Sequence, residues 1–315
     1  MNAVPITPPT AAVATAALDA KGLTKRYGRR LALDDCTLTI PEGRVVGLVG
    51  PNGAGKTTLL HLAVGLLKPT AGEITVLGGV PGEDPAQLAK VGFVAQDTPV
   101  FSRMSVAEHL RMGRYLNPTW DSELAESRRE QVGLDPRQRA GSLSGGQRAQ
   151  LALILAVAKR PPLLLLDEPV ASLDPLARRE FLQILMEVVA EGGVSVVLSS
   201  HLIADLERTC DYLVVIVASR VRVAGDVNEL LATHHRITCP SREASSLPTG
   251  HEVIEESHSE RQSSFLIRSG APILDPEWKV RPVTLDDVVL AYMGQGRAPR
   301  KAPPSDARPA LGVLR

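Results

Sequence analysis

Two stretches of this sequence have the residue types of phosphate-binding sites. "GPNGAGKTT", residues 50–58, fits G-x-x-x-x-G-K-[ST], in which backbone N–H groups of a glycine-rich loop surround phosphates and a lysine reaches the terminal oxygens. "LSGGQ", residues 143–147, places a serine and two glycines ahead of a long apolar helix, which is typical of an anion-binding helix N-terminus. One bound nucleotide needs only the first stretch, so the second indicates another anion.

An acidic pair, Asp167 and Glu168, ends the apolar run "LLLLDEP". A strand that ends in Asp167 places this carboxylate at the sheet edge where open α/β proteins bind ligands. We expect Asp167 to serve Mg²⁺ together with the Thr57 hydroxyl. We expect Glu168 to be the general base or water-orienting group for attack on a γ-phosphate. An acidic pair before a proline can also merely cap a turn, but the loop at 50–58 favours the chemical interpretation.

Short apolar runs predict the elements that position these motifs. Four of them, "RVVGLVG", "VGFVA", "LLLLD" and "VSVVLSS", alternate with helical stretches, which predicts a mainly parallel sheet covered on both faces. The alternation from Leu18 to Ile40 predicts an antiparallel β layer, and "YLVVIVASRVRVAG" predicts a hairpin. Residues 102–140 are richer in charge and interrupt the alternation. The predicted fold class is therefore α/β, with a helical subdomain inserted at about 98–160.

The two ends of the chain differ from its middle in composition. Residues 1–17 contain three prolines and no basic residue, and residues 295–315 are basic and proline-rich, so both are predicted to be disordered tails. A boundary near 230 separates the main domain, 18–230, from a small C-terminal α+β domain, 231–294. There, "HEVIEES" and "SSFLIRS" predict a hairpin, and "TLDD" predicts a capped helix start.

Charge and cysteine usage limit the classes of partner. Thirty-five basic and thirty-five acidic residues leave no net charge, which argues against nucleic acid as a partner. The apolar runs are shorter than the roughly 20 residues of a membrane-spanning helix. Three widely spaced cysteines are expected to be buried thiols in a reducing compartment. The pair His234-His235 is expected to be solvated in a loop and not to bind metal.

In this order, the phosphate loop, "LSGGQ" and "LLLLDEP" resemble the ATPase subunit of an ATP-binding cassette (ABC) transporter, over about Leu18 to Val227. The resemblance implies a phosphate-loop NTPase fold with ATP and Mg²⁺. In that family the serine and glycines of the LSGGQ motif contact the γ-phosphate held by a second subunit, which implies a homodimer with two active sites. The signature residues that would act on the neighbour's ATP are Leu143, Ser144, Gly145, Gly146 and Gln147.

Other positions match the family one at a time. Tyr27 resembles the aromatic residue that stacks on adenine, with a half-buried strand tyrosine as the alternative. Gln96 matches the glutamine that senses Mg²⁺ or the lytic water, and His201 the histidine that bonds the γ-phosphate. Ser172, Leu173 and Asp174 resemble the loop through which the two sites communicate. The resemblance thus implies a catalytic set of Glu168, His201, Gln96 and Lys56, an Mg²⁺ set of Thr57, Gln96 and Asp167, and an ATP-binding loop of Gly50, Pro51, Asn52, Gly53, Ala54, Gly55, Lys56, Thr57 and Thr58.

Longer sequence segments indicate a particular type of transporter within the family that the chain resembles. "NPTWDSELAESRREQVGLD" and "RPVTLDDVVLAYM" look like exporter-type ATPases whose membrane permease is a separate polypeptide. This implies a peripheral subunit on the cytoplasmic face of the cell membrane. The permease contact is expected near Gln96, with Phe101, Met104 and Leu110 as candidates and core packing as the alternative. The alternative function is a soluble ABC ATPase in DNA repair or translation, but the long coiled-coil insertion or second cassette usual in such proteins is not evident.

Overall fold

The structure is a computed structural model that describes residues 15–240, 251–259, 261–270, 273 and 278–295. The predicted tails therefore lie almost entirely outside the described residues. Strand β1 begins at Ala16, inside the predicted N-terminal tail, because Ala17 is fully buried in the core. Among the described residues, no helix has both the length and the apolarity needed to cross a membrane.

The elements form an antiparallel β layer, a central sheet with helices, and a second antiparallel sheet. In chain order they are β1 (Ala16–Tyr27), β2 (Arg30–Pro41), β3 (Val45–Val49), α1 (Lys56–Ala63), β4 (Ala71–Val76), α2 (Pro85–Ala89), β5 (Val91–Val94), α3 (Val106–Leu116), α4 (Ser122–Gln131), a 3₁₀ turn (Ala140–Ser142), α5 (Gly145–Val157), β6 (Leu163–Asp167), α6 (Pro175–Gly192), β7 (Ser195–Ser199), α7 (Ile203–Leu206), β8 (Tyr212–Val217), β9 (Arg220–Asp226), α8 (Val227–Thr233), β10 (His234–Pro240), β11 (His251–His258), β12 (Gln262–Ser269), β13 (Lys279–Pro282) and α9 (Leu285–Gly294).

The central sheet has the strand order β5-β6-β7-β3-β8-β9, parallel except for the antiparallel hairpin of β8 and β9. Its inner strands β3, β6 and β7 are buried along their whole length and mostly apolar, because both faces are covered. Leu164 and Leu166 of β6 belong to the core that holds α5 and α6. Leu163 and Leu165 belong to the core that holds α1 and the antiparallel layer. The predicted α/β fold class is confirmed.

The antiparallel layer has the order β2-β1-β4, as the alternation between Leu18 and Ile40 predicts. Its inward residues pack over α1 and the central sheet. The alternation works because one face of this layer is buried and the other meets solvent. Tyr27, at the end of β1, pairs with Arg30 at the start of β2 and so reaches the rim of the layer.

The inserted helical region packs around a small core of its own, to which α5 contributes Leu151 and Ile154. The opposite face of α5 contributes Leu153 to the core of the central sheet. Buried Arg128 of α4 also bonds Glu187 and, at 2.8 Å, Glu191 of α6. Helix α5 and this arginine therefore fix the helical region to the central sheet.

The C-terminal region forms a four-stranded antiparallel sheet of order β11-β12-β10-β13, followed by α9. The predicted hairpin is β11 and β12, and the predicted helix start is a capping box between Thr284 and Asp287. Helix α9 places Val288 and Val289 in the same core as Leu213 of β8. The C-terminal sheet is thus attached to the central sheet through this helix.

His234 corrects the expectation of a solvated histidine pair. Its ring is fully buried, between α8 and α9. The Nδ1–H group donates to the carbonyl oxygen of Leu230 at 2.7 Å, and Nε2 accepts from the Tyr292 hydroxyl at 3.0 Å. The sequence suggested a loop because two histidines are polar, but both polar atoms of this ring find partners within the protein. The expectation that the cysteines are buried thiols is confirmed for Cys36, Cys210 and Cys239.

The pH dependence of stability tests the burial of His234. Burial lowers the pKa of the His234 imidazole in the folded chain. The unfolded chain, with an ordinary histidine pKa of about 6.5, then binds the proton more readily. We predict that this histidine leaves the free energy of unfolding unchanged above about pH 7 and lowers it as the pH drops below about 6.5. Denaturant titration at each pH should show a smaller fall in His234→Gln and an unchanged fall in the control His235→Gln. An equal dependence of the unfolding free energy on pH in all three chains would contradict this.

Candidate functional site

Four neighbouring strands of the central sheet have their carboxyl ends at the same edge of the sheet. β3 leads into the loop 50–58, β5 leads to Gln96, β6 ends at Asp167, and β7 ends at Ser199, two residues before His201. Because these strands are parallel, all of these residues lie on the same side of the sheet, where α/β folds bind ligands. The structure therefore brings together residues that are far apart in the sequence.

The loop 50–58 joins β3 to the start of α1. Gly55 adopts φ +115°, and a Cβ there would collide with the carbonyl oxygen of Ala32, so only glycine fits. Helix α1 begins at Lys56 and has no acidic residue in its first turn. Its free N–H groups and the positive end of its dipole therefore favour a bound phosphate.

Lys56 and Glu168 form a buried ion pair at the centre of the site. The Lys56 Nζ lies 3.1 Å from the Glu168 Oε1, and the two side chains are 5% and 10% exposed. The same Nζ donates to the carbonyl oxygen of Gly50 at 2.8 Å. On the other side, His201 Nδ1 lies 3.1 Å from Glu168 Oε2. Each carboxylate oxygen of Glu168 thus has one nitrogen partner.

Ser199 joins the two acidic residues. Its hydroxyl donates to Asp167 Oδ1 at 2.7 Å and accepts the backbone N–H of Glu168 at 2.8 Å. Glu168 has φ +45°, a left-handed conformation that is unfavourable for a residue with a side chain. The bond from its N–H group to Ser199 helps to hold this conformation. Sequence reasoning missed Ser199, although a polar residue at the end of a buried strand beside Asp167 was a usable signal.

The second oxygen of Asp167 is available for a metal. Asp167 is 1% exposed, and its Oδ2 has no hydrogen-bond partner in the structure. A buried carboxylate oxygen without a partner is costly. Mg²⁺ or its bound water is the kind of group that satisfies it, because Mg²⁺ prefers oxygen ligands. The donor set of Asp167, Thr57 and Gln96 therefore fits the expected Mg²⁺.

A cleft of about 380 Å³ opens over the loop 50–58. Tyr27 lies at its rim with 47% of its surface exposed, and the Lys25 ammonium lies 5.5 Å from the ring centroid. A tyrosine with an open face can stack on a planar base. Arg30 is a second residue that sequence reasoning missed. The lining residues are Tyr27, Arg30, Ala32, Asn52, Gly53, Gly55, Lys56, Thr57, Thr58, Gln96 and Glu168.

The start of α5 does not contribute to the lining of this cleft. Ser144 caps α5 in a reciprocal pair of hydrogen bonds with Gln147, and Leu143 anchors the turn in the core. Ser144 and Gly145 are exposed, and the first turn has no acidic side chain. Gly146 packs against Ala177, since a Cβ there would lie 3.0 Å from the Ala177 Cβ. The structure thus leaves an exposed helix N-terminus, capped by Ser144 but without an acidic side chain, outside the chain's own cleft.

The loop 172–174 lies at the start of α6. Asp174 caps that helix and accepts the N–H groups of Leu176 and Ala177 at 3.0 and 3.1 Å. Leu173 is buried, whereas Ser172 is exposed. Because Gly146 contacts Ala177, this loop and the start of α5 are held together within one chain.

Comparisons with known proteins agree with this geometry. The family model described as ABC transporter matches residues 33–171. The chain is 36% identical over 238 residues to the Nod factor export ATP-binding protein I of Rhizobium johnstonii, covering 74% of this chain and 76% of that protein. It is 35% identical to the Fe(3+) ions import ATP-binding protein FbpC 2 of Rhodococcus jostii, covering 70% and 65%. The structure of cbiO1 from Clostridium perfringens, part of the ABC transporter complex cbiONQ, is 27% identical with a TM-score of 0.60, covering 69% of this chain and 91% of that one.

Substitution of Ser199 tests the link between the two carboxylates. We predict that Ser199→Ala lowers the rate of ATP hydrolysis by about tenfold or more, because Glu168 loses the acceptor that holds its backbone. The free energy of unfolding should fall by about 1–3 kcal/mol. Ser195→Ala is the matched control, since Ser195 is equally buried at the opposite end of β7 and bonds the N–H of Gly43. Equal hydrolysis rates in the two variants would contradict the role of Ser199.

Proposed function

This chain belongs to the ATP-binding subunits of ABC transporters and is an ATPase that powers transport, and from this premise we propose that two copies close around two ATP molecules to drive export through a separate permease. The observation that supports export is the alignment over most of the chain with a protein named for Nod factor export. The relative named for Fe³⁺ import matches a smaller share of its own length.

The geometry of the site supports hydrolysis by an activated water. The water oxygen attacks the γ-phosphorus while the bond from that phosphorus to the β–γ bridging oxygen breaks and ADP leaves. Glu168 accepts the proton of the water, and His201 is the adjacent hydrogen-bond donor. The phosphates compete with Glu168 for Lys56, so nucleotide binding frees this carboxylate to act as the base. Thr57, Gln96 and Asp167 would hold Mg²⁺, which would neutralise part of the phosphate charge.

The proposal of a dimer rests on the exposed start of α5. A helix N-terminus with a serine, two glycines and no acidic side chain is stabilised by an anion. The chain's own phosphate loop already has α1 for this purpose. A second copy in a two-fold arrangement brings each α5 start to the other's triphosphate, so that both sites are completed together. Ser172 and Asp174, next to the α5 start, then lie at the contact between the copies.

The contact with the permease is proposed at an apolar groove beside Gln96. This groove, of about 540 Å³, is lined by residues such as Leu88, Phe93, Val100 and Leu155. Phe101 follows it with 61% of its surface exposed. Leu110 instead packs on the core of the helical region, which favours core packing for that candidate. Met104 is half-buried beside α3.

Docking at this groove defines the proposed location of the chain, peripheral on the cytoplasmic face of the cell membrane. The alternative of an ABC ATPase in DNA repair or translation is disfavoured, because the relatives reported above are named for export and import. The neutral charge balance also gives no electrostatic reason for a nucleic-acid partner.

Replacement of the proposed base tests the dimer. We predict that Glu168→Gln binds ATP but hydrolyses it about a hundredfold or more slowly, because the amide cannot accept the proton. The trapped nucleotide should hold two copies together, so that the variant elutes as a dimer in size-exclusion chromatography with ATP.

The double variant Glu168→Gln/Ser144→Arg is the control for this experiment. A bulky cation at the α5 start blocks the proposed contact with the partner's triphosphate, so dimerisation should be lost while ATP binding is kept. A double variant that dimerises as well as Glu168→Gln would contradict the proposed sandwich.

Site-directed crosslinking tests the permease contact. We predict that Phe101→Cys, labelled with a photoactivatable maleimide, crosslinks to the membrane protein that co-purifies from detergent-solubilised membranes. Labelling is specific because all three native cysteines are buried, and burial raises the pKa of Cys36 and raises that of Cys210 to about 12. Leu290→Cys, equally exposed on α9, should give no such product. Equal crosslinking from both positions would contradict the docking site.

A further inference from the structure

A buried histidine holds the segment that follows Gln96. His109 of α3 is 1% exposed. Its Nε2 accepts the backbone N–H of Phe101 at 3.0 Å, and its Nδ1 donates to the carbonyl oxygen of Ser105 at 2.8 Å. The rings of Phe101 and His109 also lie against each other, with centroids 6.2 Å apart. We call residues 97–105 the docking loop, because they include the exposed Phe101.

The docking loop is bonded to the segment that precedes α5. The N–H of Ala140 donates to the carbonyl oxygen of Met104, and the N–H of Gly141 to that of Ser102, both at 2.9 Å. Ser105 and Arg139 form an isolated β-bridge. Three residues after Gly141, Ser144 caps α5. We call residues 139–147 the signature turn.

These contacts form a continuous series of hydrogen bonds from the His109 side chain to the backbone of the signature turn. His109 fixes the middle of the docking loop to α3, and the loop in turn holds the signature turn at Ala140 and Gly141. Segments joined by such hydrogen bonds move together, because a shift of one segment either breaks the bonds or displaces the other segment. The exposed surface of Phe101 and the α5 start are thus parts of one mechanical unit.

We propose that His109 is a positioning residue that makes the docking loop and the signature turn move together. A displacement of Phe101 by a docked partner is then transmitted to Ser144. This proposal rests on the proposed function of docking at this loop. His109 touches neither the cleft nor the start of α5, and it acts only through the loop. The ring serves as an acceptor at Nε2, and a glutamine side chain reaches about as far with its amide oxygen.

Hydrogen exchange of the isolated chain tests the mechanical connection. We expect His109→Leu to raise amide exchange by about tenfold in residues 98–105 and also in 139–143, since the two side-chain hydrogen bonds of His109 to the docking loop, at Phe101 and Ser105, are lost. His109→Gln, which restores an acceptor for Phe101, should return both segments to native exchange. Faster exchange in the docking loop alone, or equal exchange in the two variants, would overturn the proposal.

The native chain provides a test that needs no substitution. In denaturant-dependent exchange, the amides of Phe101, Ala140 and Gly141 should open with a common free energy, as members of one cooperative unit. Protection factors for Phe101 that differ from those of the other two by more than about tenfold at every denaturant concentration would overturn the connection.

The effect on coupling is measured in the complex purified from membranes. The isolated His109→Leu chain should hydrolyse ATP within about twofold of the native rate, whereas stimulation by the co-purified permease should fall about fivefold or more. His109→Gln should keep the stimulation. Full stimulation of His109→Leu would overturn the proposal. Absence of any co-purified membrane protein would instead contradict the proposed function, while the exchange results still judge the connection.

Discussion

The buried ion pair between Lys56 and Glu168 is the constraint on which the site depends. The two charges are 3.1 Å apart and have little exposed surface. Removal of one leaves the other buried without a partner, which destabilises the folded chain by about 3–5 kcal/mol. The lysine comes from the loop after β3 and the glutamate from the end of β6, with β7 between these strands. The sheet order therefore decides which side chains meet, and Ser199 at the end of β7 bonds Asp167 and the backbone of Glu168.

The rest of the structure completes this centre from two sides. The antiparallel layer brings Tyr27 to the rim of the cleft, so a nucleotide has an aromatic surface as well as a phosphate loop. The helical region brings the start of α5 to the surface, outside the chain's own cleft. Helix α5 rests on α6, and Gly146 contacts Ala177 next to the Asp174 cap. The phosphate-binding loop and the exposed helix start thus belong to different parts of one chain, and in the proposed dimer they serve different sites.

Much of the fold and of the site was predictable from local patterns. The loop 50–58, the acidic pair at the end of an apolar strand, the alternation from Leu18 to Ile40 and the capped start of α9 each depend on residues close in sequence. The structure confirms these elements. Ser199 and Arg30 were missed because their roles depend on which strand lies beside which, and spacing along the chain does not reveal that. His234 was wrongly expected in solvent, because its polarity gave no sign of Tyr292, 58 residues away. The roles of the signature residues stay predictions, because one chain contains only half of each proposed site.

Complementation between two inactive variants tests the division of the site most directly. Lys56→Ala removes the phosphate-loop lysine but keeps the α5 start, and Ser144→Arg does the reverse. Mixed in equal amounts, they should hydrolyse ATP well above the sum of the two separate variants, because each mixed dimer has one intact site out of two. Activity that stays at the sum of the two separate variants would show that each chain completes its own site, and would contradict the account.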